Sequence, residues 1–282
     1  MDVRKINYID VVNAVAKLCR DANYYLGEDV INAFETGLKQ EESPTGKGVL
    51  EQLIENADIA CNEEVPMCQD TGVAVVFLEL GQDVYVEGGL LYDAVEEGVR
   101  EGYQTGYLRK SMVENPFKRN NTGDNTPAII HTNLVAGDKL KILVAPKGGG
   151  SENMSAINMM APAAGEEGVK DFIIDTVRKA GPNPCPPIVV GVGIGGNFEK
   201  SAMLAKEALI RPIGELNKDE DIAKMEKELL EKINNLGIGP QGMGGRVTAL
   251  AVHIKTHPCH IASLPVAVNI NCHATRHKSV VL

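Results

Sequence analysis

Three cysteines stand in settings suited to metal chemistry. Cys68 lies in Pro66-Met67-Cys68-Gln69-Asp70-Thr71-Gly72, Cys185 in Pro184-Cys185-Pro186-Pro187, and Cys272 in Asn269-Ile270-Asn271-Cys272-His273. Gaps of 117 and 87 residues separate them, so they form no local knuckle of the closely paired kind that structural zinc uses. Three thiolates converging from three loops would suit an iron–sulfur cluster in which one iron lacks a protein thiolate. Such an iron keeps a coordination position open to substrate. Cys19 and Cys61 fall on apolar helical faces and read as small buried hydrophobes. Cys259, between His257 and His260, reads as structural or supporting.

Three other chemistries compete. Gly191-Val192-Gly193-Ile194-Gly195-Gly196 matches the G-x-G-x-x-G dinucleotide fingerprint, after an expected strand and before an expected helix. The acid expected after the next strand is missing. Glu215 stands at a suitable distance, but Arg211-Pro212-Ile213-Gly214 before it does not read as a strand. A tight strand-to-helix turn is the plainer account. His257-Pro258-Cys259-His260 is dense in metal donors, but no second pair stands at zinc spacing. Cys68 with a His and an Asp would make a thiol hydrolase, which leaves Gln69-Asp70 and the proline-flanked Cys185 unexplained.

The elements that must position these loops follow from periodicity. Helices are expected through about residue 62. Ile9, Val12, Val15, Ala16 and Cys19 recur at helical spacing, as do Val30, Ile31, Phe34 and Leu38. Ser43-Pro44 supplies an N-cap and a first-turn proline. Strands are expected at 73–80, 129–134, 140–145, 188–192, 247–254 and 265–270. Helices are expected at 90–107, 163–180, 197–210 and 219–235. Pro146-Lys147-Gly148-Gly149-Gly150-Ser151-Glu152-Asn153 reads as a loop whose glycine N–H groups form a nest for an anion. Gly237–Gly245 is a second glycine loop. The fold class is α/β, with a helical N-terminal segment (about 1–65) before a mixed core (about 66–282), in one domain spanning 1–282 with the candidate ligands on three loops.

Composition narrows the function. Of 282 residues, 44% are hydrophobic, only 4% are aromatic and none is Trp, so the core is aliphatic and few platforms exist for stacking on bases. A net charge of -10 argues against a nucleic-acid partner. No apolar run approaches the roughly 20 residues of a membrane helix. The N-terminus lacks a signal-peptide pattern, and six cysteines without an export signal are expected in a reducing cytoplasm.

Five motifs carry a resemblance. Met67-Cys68-Gln69-Asp70-Thr71-Gly72, Lys147-Gly148-Gly149-Gly150-Ser151, Asn183-Pro184-Cys185-Pro186-Pro187, Gly239-Pro240-Gln241-Gly242-Met243-Gly244-Gly245 and the His260 to Cys272 stretch occur in the order found in one family. They resemble the alpha subunit of class I, iron–sulfur-dependent fumarate hydratase and equally that of L(+)-tartrate dehydratase, over nearly the whole chain.

The resemblance implies a [4Fe-4S] cluster on Cys68, Cys185 and Cys272. It places Gln69 and Asp70 at the substrate or its hydroxyl, with Asp70 handling a proton. It implies that Arg109 binds a substrate carboxylate, that Gly149 and Gly150 offer N–H groups to one, and that His260 lies near the substrate. Each has a plainer role: Asp70 in a turn, Arg109 as a helix C-terminal cation, His260 in structure. The implied reaction is (S)-malate to fumarate plus water, a step of the tricarboxylic acid cycle; the alternative is L-tartrate to oxaloacetate. A redox sensor or carrier is the non-enzymatic alternative, although a carrier usually shields its cluster with a fourth thiolate. Single-chain members continue into a further domain that completes the substrate site, whereas this sequence stops ten residues after Cys272. A separate beta subunit is therefore expected, with an alpha–alpha dimer inside a heterotetramer. Cations among His273–Lys278 stand beside the third cysteine with no role assigned.

Overall fold

The computed structural model describes residues 3–282. They form two compact units. The first takes described residues from Met1–Leu26, Asn56–Gly149 and Arg276–Leu282, and the second comprises Gly27–Glu55 and Gly150–Thr275. In chain order the elements are β1 (Arg4–Asn7), α1 (Tyr8–Tyr24), α2 (Glu28–Gln40), α3 (Pro44–Glu63), β2 (Val73–Gly81), β3 (Val84–Glu87), α4 (Leu91–Thr105), β4 (Ile129–Val135) and β5 (Leu140–Lys147). They continue with α5 (Gly149–Glu152), β6 (Ala156–Met160), α6 (Gly165–Ala180), β7 (Ile188–Gly196), α7 (Phe198–Ala208), α8 (Glu220–Asn234), β8 (Ala249–Cys259), β9 (Leu264–Asn271) and β10 (Lys278–Val281). The fold is α/β, as expected.

In the first unit a mixed sheet runs β10-β5-β2-β4, with β2 and β4 parallel and β5 antiparallel to its neighbours β2 and β10. Val11, Val12, Val15, Leu18 and Cys19 bury one face of α1, and Ala94, Val95, Val99 and Tyr103 bury one face of α4. Both stripes have the 3.6-residue period read from the sequence, and both pack into one core with Leu78, Ile142 and Val144 of the sheet.

In the second unit the sheet order is β6-β9-β7-β8, with β7 parallel to β8 and β9 antiparallel to β6 and β7. Val190, Val192, Val252, Ile254, Val268 and Ile270 pack with Val169, Ile173 and Val177 of α6 and with Leu229 and Ile233 of α8. Ser43 accepts a hydrogen bond from Gly46 N at 3.2 Å, as an N-cap does. Asp219 caps α8 in the same way, accepting from Asp221 and Ile222.

Several expectations need correction. The first 62 residues are not wholly helical, because Arg4–Asn7 pairs in parallel with Val84–Glu87. Four-residue strands carry too little alternation to be read. The short strands β6 and β10 escaped for the same reason. Residues 146–153 are not one loop: Pro146 and Lys147 end β5, and Gly149–Glu152 make a helical turn. Strand β7 does not stop at Val192 but runs through Gly196. The fingerprint glycines therefore form no phosphate-binding turn. A Cβ at Gly193 would run into the Ser201 carbonyl oxygen and lie 2.6 Å from Ala205 N, so these glycines let α7 lie directly on the strand.

Candidate functional site

The candidate residues other than His260 gather at one end of each sheet. In the first unit, β2 begins at Val73 opposite Lys147, the last residue of β5. β4 begins at Ile129, opposite Val75, and β10 begins at Lys278, opposite Val144. The flanking segments Cys68–Gly72, Gly148–Gly149 and Arg276–His277 therefore share that end. Gly72 sits at φ +76, and a Cβ there would come within 2.7 Å of Lys147 N. Only glycine lets the cysteine loop lie on the β5 terminus at that angle.

Hydrogen bonds fix this loop. Asp70 Oδ1 accepts from Gly72 N at 3.0 Å and Oδ2 from Gly149 N at 2.8 Å. The anion received by the expected glycine nest is thus, at Gly149, the protein's own carboxylate. Arg276 Nη2 donates to the Asp70 carbonyl at 2.5 Å. Thr71 Oγ1 donates to the Arg109 carbonyl at 3.0 Å, tying the Arg109 segment to the loop. The fully buried Tyr103 places its hydroxyl 2.8 Å from Thr71 O and 3.0 Å from Gly72 O. Burial holds that phenol well above its usual range. Buried Asn125 donates to Gly72 O and accepts from Ser111 N and Met112 N. Cys68 and Asp70 are half-buried, whereas Gln69 and Arg109 are exposed. Gln69 Oε1 lies 3.3 Å from Cys68 Sγ.

In the second unit, the Cys185 loop leads into β7 and Cys272 follows β9. Because these strands are antiparallel, the two cysteine segments lie at the same end of the sheet. They are joined directly: His273 N donates to Cys185 O at 3.2 Å. Gln241, from the second glycine loop, donates to Pro186 O through both its backbone N and Nε2, each at 2.8 Å. Its Nε2 also lies 3.1 Å from His273 Nδ1. Cys185 (φ +55) and Gln241 (φ +50) both occupy the left-handed region, which costs a non-glycine residue roughly 1–2 kcal/mol. Strain of this kind concentrates at functional sites. Gly150 belongs to this end too, its Cα facing the Asn183 carbonyl.

Glu41 anchors the glycine loop from below. Its buried carboxylate accepts from the backbone N–H groups of Glu42, Ser43, Arg246 and Val247, at 2.8–2.9 Å. Burial alone would raise its pKa, yet the four N–H donors together hold it below the usual glutamate value. Gln241 and Glu41 were not singled out from the sequence. The Gly-Pro-Gln-Gly motif pointed to the former, while no local signal marks the latter.

His260 is not brought to this end. It lies in the exposed turn between β8 and β9, its Nδ1 accepting from Ala262 N at 3.1 Å. The eight residues of β9 separate that turn from Cys272, roughly 27 Å at about 3.4 Å per residue. Cys259, at the same far end, donates to Ser263 O. A cleft of about 670 Å³ lined by Asp171, Phe172, Asp175, Arg178, Lys232 and Leu236 contains none of the expected site residues.

The donors can be tested for fit to a cluster. Cys68 and Cys272 are half-buried and Cys185 is exposed, all on loops. Cys19, by contrast, is fully buried in the apolar core of the first unit, where burial pushes its thiol up to about 12. Among the described residues no three His, Cys, Asp or Glu side chains form a group able to hold a single metal ion. A cluster makes a different demand, because each of its thiolates binds a separate iron. Accessible sulfur on the three motif loops, two of them hydrogen-bonded together, fits that demand in its chemistry.

Comparison with known proteins agrees with the motifs. Residues 12–281 match the family model described as fumarate hydratase (Fumerase). A protein of Methanocaldococcus jannaschii named "Putative L(+)-tartrate dehydratase subunit alpha" is 46% identical over 271 residues, covering 94% of this chain and 95% of that one. The L(+)-tartrate dehydratase subunit alpha of Escherichia coli strain UTI89 is 33% identical, covering 88% and 83%. Its counterpart in strain K12 is 32% identical, covering 90% and 85%. With five motifs in order and a match that runs almost from end to end, the chain belongs to the fumarate hydratase (Fumerase) family of hydro-lyases.

Proposed function

We propose that this chain is the alpha subunit of a hydro-lyase that interconverts (S)-malate with fumarate and water, and that Cys68, Cys185 and Cys272 hold a [4Fe-4S] cluster. The observation that carries this is the bond from His273 N to Cys185 O, which sets two of the three motif cysteine loops against each other. When bound, the cluster supplies a Lewis-acidic iron with an open position that polarises the substrate hydroxyl. Asp70 is the proton carrier: its oxygens are oriented by Gly72 and Gly149 N–H and each keeps capacity for a further proton. Dehydration needs a proton removed from the carbon α to the far carboxylate, loss of the hydroxyl as water, and a double bond between the two carbons. Arg109 clamps a substrate carboxylate, Gln69 hydrogen-bonds the hydroxyl, and Gly150 offers its N–H, while Gly149 serves through Asp70. His260, at the other end of β9, takes no part. A separate beta subunit supplies the remaining substrate contacts, in a heterotetramer built on an alpha–alpha dimer.

The second reading is L-tartrate dehydration to oxaloacetate, favoured by the names of the three relatives. The two substrates differ by one hydroxyl, a difference a few pocket hydrogen bonds can decide.

The test is anaerobic. The chain is reconstituted with iron and sulfide, both are counted, and malate and tartrate turnover are assayed with and without a candidate beta subunit. About four irons per chain and malate turnover with the partner are expected. Tartrate turnover alone would transfer the reading to the second substrate. Cys68→Ser, Cys185→Ser and Cys272→Ser should each lose iron, and Cys19→Ser should not. Full iron content in Cys185→Ser would refute the ligand assignment.

A further inference from the structure

Arg276 opens the segment that leads into β10, at the end of the first unit's sheet where the Cys68–Gly72 loop lies. It is only 5% exposed. One guanidinium nitrogen, Nη2, donates to the Asp70 carbonyl. The other two, Nε and Nη1, are buried with no hydrogen-bond partner. A guanidinium stays charged at any ordinary pH and carries five N–H donors, three of which are on these two atoms. An uncompensated buried cation costs several kcal/mol, and among the described residues Arg276 makes no ion pair with a carboxylate. A fold seldom keeps such a group unless an anion arrives to meet it. A second basic side chain, Lys147, is buried at the same end.

We infer that Arg276 is a carboxylate-binding residue of the site at the Cys68–Gly72 loop, taking one carboxylate of a C4 dicarboxylate. The ligand class rests on the function proposed above; the orphaned donors do not. The Nη2 bond holds the guanidinium against the backbone carbonyl of the residue proposed to move the proton. Nε and Nη1 lie on different edges of the guanidinium, so a carboxylate is met by one of them together with the second N–H of Nη2, a planar pair whose spacing matches the two carboxylate oxygens. The bonds from Gly72 N and Gly149 N fix the orientation of the Asp70 carboxylate.

The probe is succinate, a C4 dicarboxylate with no hydroxyl to lose, added to the reconstituted full-length chain. Ligand that binds the folded state alone raises the melting temperature by linkage. Succinate is expected to raise the midpoint of the wild type and to leave that of Arg276→Met unmoved. Arg276→Lys should respond with an affinity weaker by about tenfold, because a point charge does not reproduce the fork. Without ligand, Arg276→Met should melt no lower than the wild type, since it removes an unpaired cation; a role in structure alone predicts a large drop. If Arg276→Met does not fold, Arg276→Lys carries the comparison. An equal succinate response in the variants, or none in the wild type at saturating probe, overturns the inference. Turnover separates this from the function proposed above. Turnover of malate or tartrate with an unchanged KM in Arg276→Lys would sink Arg276 alone. Succinate binding through Arg276 with turnover of neither substrate would sink the hydro-lyase and leave Arg276 standing.

Discussion

Replacing Glu41 with alanine should loosen the second unit from a point remote in sequence from every cysteine. The Glu41 carboxylate accepts four backbone N–H groups, two from its own turn and two from Arg246 and Val247. Val247 is buried, so its N–H would be left without water or partner, a cost of about 1–3 kcal/mol. The other three N–H groups can be rehydrated and lose roughly 0.5–1 kcal/mol each. The expected destabilisation is about 2.5–6 kcal/mol. Urea unfolding of the apo chain at pH 7 measures it, as a fall in midpoint at unchanged slope. The carboxylate's folded pKa is lowered, so its contribution is complete above the unfolded glutamate pKa, about 4.3. It is lost as pH falls through the lower folded value. The gap between wild type and variant should therefore narrow below about pH 4. A loss under about 0.5 kcal/mol at pH 7, or a gap that widens in acid, would refute this account of the anchor.

Gln241→Gly should relieve backbone strain at φ +50 while removing the side-chain bonds to Pro186 O and His273. Hydrogen exchange at the His273 amide should then quicken by about fivefold, since one hydrogen bond contributes roughly 1 kcal/mol; unchanged exchange would show that the side chain does not hold the two cysteine loops together. Gly193→Ala should cost about 3 kcal/mol or more by driving α7 off β7, and neither form should bind a nicotinamide cofactor in a titration. His253 is buried, and burial first, then the nearby Arg211, pushes its pKa down to about 4. The unfolded chain binds a proton near pH 6.5 that the folded chain refuses, so stability should rise by roughly 3 kcal/mol between pH 4 and 6.5. His253→Gln should flatten that slope in pH-dependent urea unfolding; an unaltered slope would assign it to other groups.

Much of the fold was legible because its signals are local. The apolar stripe of α1 carries the 3.6-residue period, and Val12, Val15, Ala16 and Cys19 are buried as expected, while Ile9 at the start of the helix is exposed. The β-rich run after Cys68 and the pair near 129–145 became β2, β4 and β5. Four-residue strands such as β1 and β10 were not legible, because a strand that short is defined by its partner rather than by its own pattern. The glycine fingerprint misled for a related reason. A glycine needed for a tight turn and one needed for close helix packing are the same letter, and only the approach of α7 tells them apart.

By itself the sequence determined the donors: which cysteines stand in motif loops, that Asp70 follows one of them, and that these motifs belong to one family. Residue chemistry and order are properties of the chain, and no folding is needed to read them. The tertiary structure alone decided geometry. Antiparallel pairing of β7 with β9 brings Cys272 beside Cys185 and carries His260 to the opposite end. The register of β10 on β5 sets Arg276 beside Asp70, residues 206 apart in the chain. Strand direction and register are fixed by contacts between distant segments, so the arrangement of the site appears only when the chain has folded.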